Sequence, residues 1–165
     1  MRLVELFDQP IDNLEWEETM WGEEVRFDIG SYRYEVNFMP LDDPMEFRMD
    51  RPVMPEELEK MIFVDQIIPV DISFDMTGTK YPHSYGITGT GNEVKVFSTV
   101  INIIQQWLAK PYNSDVQLIH ISSKEPSRTK LYRRMINSLA KGKKVWELVT
   151  QDPGDEKYTY WVIKV

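Results

Sequence analysis

Three glycines, Gly86, Gly89 and Gly91, stand in the stretch "YGITGTGNEVKVFSTVINIIQQWL", directly ahead of a long apolar-periodic run. Glycines so placed let the backbone turn with positive φ and let a ligand approach with no Cβ in the way. Amides at the start of the following helix lack intrahelical partners, and the helix dipole adds about half a positive charge. A pyrophosphate set against Thr88, Gly89, Thr90, Gly91 and Asn92 would accept several charge-assisted hydrogen bonds, each contributing roughly 1.5–3 kcal/mol. The same spacing also serves an ordinary tight turn. It is not a P-loop, since no Gly-Lys-Ser/Thr follows, and Gly-x-x-Gly-x-Gly differs from the dinucleotide fingerprint Gly-x-Gly-x-x-Gly.

Carboxylates are the candidate bases near this loop. Asp71 and Asp75 share one face of "IIPVDISFDM", and Glu93 follows the glycines. Two carboxylates on a strand face are also what a solvated surface looks like. His83, in "KYPHSYG", is close to the glycines in sequence, whereas His120, inside "QLIHIS", reads as a buried, hydrogen-bonded structural residue. Two distant histidines without a cysteine do not make a zinc site, so no metal is expected. No serine sits in a Gly-x-Ser-x-Gly elbow, which leaves hydrolase chemistry without support.

The elements that must position these groups follow from periodicity. "LEWEETM", "EEVRFDIG" and "YRYEVNFMPL" alternate as strands, with Gly30-Ser31 as a hairpin turn. Residues 38–55 are crowded with proline, methionine and charge and read as a loop. "PEELEKMIF" reads as a short helix, with Pro55 in its first turn and Glu56 and Glu57 at the positive dipole end. "IIPVDISFDM" is a strand buried on the face of Val70, Ile72, Phe74 and Met76. Phe97, Val100, Ile101, Ile104, Trp107 and Leu108 follow three-and-four spacing, so a long helix follows the glycines, with Asn92 as its N-cap. "DVQLIHIS" reads as a strand buried on both faces. "EPSRTKLYRRMINSLAK" is a helix begun by Pro126 and stopped near Gly142, and "KVWELV" and "YTYWVIKV" close the chain as strands. The predicted fold is mixed α/β, a largely antiparallel sheet with helices packed on it. It forms a single domain over 1–165, with an N-terminal stretch 1–67 and a second stretch 68–165.

Composition bounds the partners. The chain has 165 residues, no cysteine and no run approaching the roughly 18 apolar residues of a membrane span. These features imply a cytoplasmic protein that avoids membranes. A net charge of −8 argues against general nucleic-acid binding. Charge is uneven, though: Lys124 to Lys144 holds eight basic residues against one acid, and the remainder balances at −15. The basic segment is either a solvated helix face or an anion-binding surface. The five tryptophans are dispersed, which favours core use over base stacking.

From about Ile68 to Val165 the order strand, glycine loop, long helix, strand, helix, strand, strand resembles the second half of the GNAT acyltransferases. That family cradles the pyrophosphate of acetyl-coenzyme A in a loop of pattern Arg/Gln-x-x-Gly-x-Gly/Ala. Gly86 stands here where the family has a long polar side chain, while Gly89 and Gly91 match. In the family's later helix Leu131-Tyr132 match the motif, whereas Glu125, Arg128, Ile136 and Asn137 depart from it. The resemblance implies an acyl-CoA bound at Gly86–Gly91 in a splayed sheet and transfer of its acyl group to an amine. It makes Tyr132 the acid for the leaving thiolate, with Asp75 a candidate base. A phenol, with ordinary pKa near 10, can donate a proton at neutral pH. Tyr132 packed on the sheet as a structural residue is the alternative. Arg128, Lys130, Arg133 and Arg134 would serve cofactor phosphates or an acidic protein partner. How far the strand before Gly86 parts from the strand beginning near Val116 then matters, because only a splayed pair leaves a slot for a pantetheine arm.

"ELFDQP", "TGTGN" with "VFSTV", and "EPSRTKLY" also resemble small proteins of tailed bacteriophages. That likeness suggests a source and supplies no activity. The departures at Gly86, Glu125, Arg128 and Ile136 and the lack of a clear base suggest a second possibility, a non-catalytic protein that keeps the fold, has lost the cofactor and acts by binding a host or virion protein. A third is an acidic decoy that mimics nucleic acid.

Overall fold

The computed structural model describes residues 13–41, 54–78, 93–123, 129–151 and 157–165. It is mixed α/β: among the described residues, seven strands form a mostly antiparallel sheet and three α-helices accompany them. The strands are β1 (Glu15–Thr19), β2 (Gly22–Ile29), β3 (Tyr32–Pro40), β4 (Val70–Gly78), β5 (Leu118–Ser123), β6 (Val145–Gln151) and β7 (Lys157–Lys164). The helices are α1 (Glu56–Glu59), α2 (Glu93–Ala109) and α3 (Thr129–Ala140). Sheet order is β1-β2-β3-β4-β5-β7-β6. The chain divides into two compact units, 1–38 with 73–114 and 39–72 with 115–165.

In the first unit β1, β2 and β3 form an antiparallel meander, with Trp16 opposite Val25 and Phe27 opposite Tyr34. Alternation sorts the side chains. Val25, Phe27, Ile29, Tyr34, Val36 and Phe38 are buried, while Glu15, Glu17, Arg26, Asp28, Arg33 and Glu35 share the opposite, charged face. The β2–β3 turn needs a left-handed residue, and Gly30 supplies it at φ +60°. Helix α2 lays its apolar stripe on this unit's core: the Trp107 ring stacks on Phe38 at 4.6 Å, and Phe97 meets Phe74 edge-on at 5.7 Å. Burial of each such aromatic contributes roughly 1.5–3 kcal/mol. The dispersed tryptophans are not all core residues. Trp21, in the β1–β2 turn beside Met20, is 71% exposed.

In the second unit Leu58, Met61 and Ile62 close over Leu118 of β5, Val162 of β7 and Trp146 of β6. The expected short helix forms and then widens. After Glu59 the chain runs through a π turn, Lys60–Val64, where the amide of Asp65 donates to the carbonyl oxygen of Lys60 at 2.9 Å. Gln66 ends it in left-handed geometry, φ +56°. Helix α3 buries Tyr132, Met135, Ile136 and Leu139, and leaves Lys130, Arg133 and Arg134 exposed. It stops as the sequence implies, through Lys141 (φ +46°) and Gly142 (φ +82°).

Candidate functional site

Alternation places Asp71, Ser73 and Asp75 on one face of β4 and Val70, Ile72 and Phe74 on the other, where they are buried. Strand β5 is buried on both faces through Leu118, Ile119, His120 and Ile121. The two strands pair in parallel over three rungs, Val70 with Ile119, Asp71 with His120 and Ile72 with Ile121. There the ladder ends, although β4 continues to Gly78 and β5 to Ser123.

The middle rung carries chemistry. Nδ1–H of His120 donates to Oδ1 of Asp71 at 2.7 Å. His120 is 5% exposed, as expected of a structural histidine, and Asp71 is half-buried. That the two form one pair was beyond the sequence reading, because 49 positions separate them. A carboxylate bonded at Nδ1 fixes the orientation of the buried ring.

Tyr132 is buried on α3, in the second unit, with its ring stacked on Trp161 at 5.8 Å and an interplanar angle of 7°. Asp75 is exposed on β4, in the first unit. Glu93 is half-buried as the first residue of α2. Gly86, Thr88, Gly89, Thr90, Gly91, Asn92, His83 and Arg128 lie outside the described residues. Within the basic segment, Arg133 is bonded to Glu147 at 2.6 Å and Lys144 to Glu57. Those two cations are already engaged inside the second unit. Among the described residues no cluster of His, Asp and Glu fit for a metal is present, and no helix is long and apolar enough to cross a membrane.

A second polar cluster lies in the first unit. The Lys110 ammonium is 2.9 Å from Glu23 and 3.8 Å from the Trp16 ring centroid, and Tyr112 donates to Glu23 at 2.5 Å. Burial pushes the Lys110 pKa down, but the hydrogen bonds and charges of Glu23 and Tyr112 outweigh it and the net shift is upward. An internally satisfied lysine clamps the end of α2 to β2, and that suffices to explain the cluster.

No protein-family model, no curated protein and no solved structure matches this chain.

Proposed function

We propose that the chain binds an acyl-coenzyme A and passes its acyl group to an amine. One observation supports this above all: the parallel β4–β5 ladder stops after Ile72 and Ile121 while both strands run on. The resemblance calls for a parallel strand pair that stops bonding partway along. A long helix, α2, then follows the glycine-bearing segment, as the resemblance requires. On this reading the amides from Gly86 to Asn92 hold the diphosphate and Arg128 adds a cation. The amine nitrogen bonds to the thioester carbon, the carbon–sulfur bond breaks, the amine gives up a proton and the thiolate gains one. Tyr132 is the donor named by the resemblance, and Asp75 is a candidate for the base.

Burial of Tyr132 against Trp161 favours a second reading, a protein of this architecture that acts by binding another protein and performs no transfer. Thiol release separates the two. With acetyl-coenzyme A and a panel of primary amines, an active transferase liberates free thiol faster than buffer does. Tyr132→Phe keeps the stacked ring and removes only the proton, so it should slow release about hundredfold or more. Amine-independent thiol levels would rule out transfer and leave the binding protein.

A further inference from the structure

Strand β6 is the last strand of the sheet. Among the described residues no strand hydrogen-bonds to its outer side. One bond fixes which way its backbone points: the amide of Lys164 donates to the carbonyl oxygen of Lys144 at 2.9 Å, so Lys144 turns its polar groups toward β7. Antiparallel pairing alternates. Trp146, Leu148 and Thr150 therefore also face β7, while Val145, Glu147, Val149 and Gln151 turn their N–H and C=O groups outward.

Natural sheets guard such edges with charge. Strand β1 does so, since Glu15, Glu17 and Glu18 make up three of its five residues. Strand β6 reads VWELVTQ and carries a single charge, Glu147, which is bonded to Arg133. Val149 is 53% exposed.

We propose that this edge pairs with the same edge of a second copy, antiparallel across a two-fold axis at Leu148. The strand's own register argues for a second copy as the occupant. An axis at Leu148 joins all seven residues of β6 and sets outward groups only against outward groups. Val145 then meets Gln151, Glu147 meets Val149, and Leu148 meets Leu148. An axis midway between two residues sets outward groups against inward ones and forms no ladder. An axis at Glu147 brings two carboxylates face to face, which is unfavourable. An axis at Val149 leaves Val145 and Trp146 without partners. Only the Leu148 register uses every donor and keeps the charges apart. The contact is small, at the low end of specific interfaces, so the dimer dissociates at about micromolar concentration.

Analytical ultracentrifugation of the full chain and two variants tests the pairing. Val149→Glu places a carboxylate opposite Glu147 of the other copy, twice per dimer, and should raise the dissociation constant about tenfold. Val149→Lys places an ammonium there and should leave the dimer as tight or tighter. Both changes fall on an exposed side chain, so an unchanged far-ultraviolet circular dichroism spectrum is expected of each. A wild-type chain that stays monomeric at about 100 µM overturns the proposal. So do two variants that fail to separate in this order.

Discussion

At the scale of single residues, Glu24 shows how a side chain's surroundings set a cost that its type does not reveal. It belongs to the charged face of β2, yet it is 9% exposed. Burial pushes its carboxyl pKa up from the ordinary 4.5, the charge of Glu35 pushes it further, and contact with Arg26 pulls it partly back. A raised carboxyl means that the folded state holds the proton more tightly than the unfolded state. Ionised Glu24 therefore costs stability at neutral pH, and the cost disappears as pH falls through the folded value toward 4.5. Glu24→Gln should unfold at a higher urea midpoint than wild type at about pH 7, with the gain shrinking at about pH 4. Arg26 keeps Glu17 and Glu35 as partners in the variant. An equal gain at both pH values would mean that ionisation is not the cause. Alternation in "GEEVRFDIG" sets Glu24 on the charged face with Arg26 and Asp28, so its burial there, between Glu17 of β1 and Asn37 of β3, is not legible in the string. Trp21 likewise could not be told from its core counterparts. Tyr132 was legible as a chemical candidate and as a packing residue alike; the structure packs it on Trp161.

At the scale of elements, local periodicity carried far. The period-two runs at Val25–Ile29 and Tyr32–Phe38 and the buried face of Val70, Ile72 and Phe74 became β2, β3 and β4. The three-and-four spacing from Phe97 to Trp107 became α2, and Gly142 does stop α3. Non-local pairings left no such trace. That β5 runs parallel to β4, and that β7 lies between β5 and β6, is set by long-range packing that no window of sequence contains. The π turn after Glu59 is similarly silent, since Gln66 takes the left-handed conformation without being glycine. The Asp71–His120 rung is where residue chemistry and strand pairing meet. Asp71→Ala removes the acceptor of a buried histidine and should cost about 1–3 kcal/mol of unfolding free energy in urea. Ser73→Ala, at an exposed position on the same face, should change stability by less than about 0.5 kcal/mol. Indistinguishable midpoints for the two variants would show that the rung does not hold the ladder.

At the scale of the whole molecule, the sequence read as a mixed α/β chain with a largely antiparallel sheet, and that architecture is present. Within it the chain groups into two compact units. The glycine loop and Arg128, on which the functional proposal depends, lie outside the described residues, so the proposal draws on the ladder that precedes the loop and the helix that follows it. Ligand binding is therefore the decisive property. Isothermal titration of acetyl-coenzyme A into the full chain, to about millimolar ligand, should give saturable heat at one site per chain. Gly89→Glu, which sets a side chain and a negative charge among the amides, should abolish that heat. A flat titration for the wild-type protein, or a Gly89→Glu curve identical to it, would contradict the account.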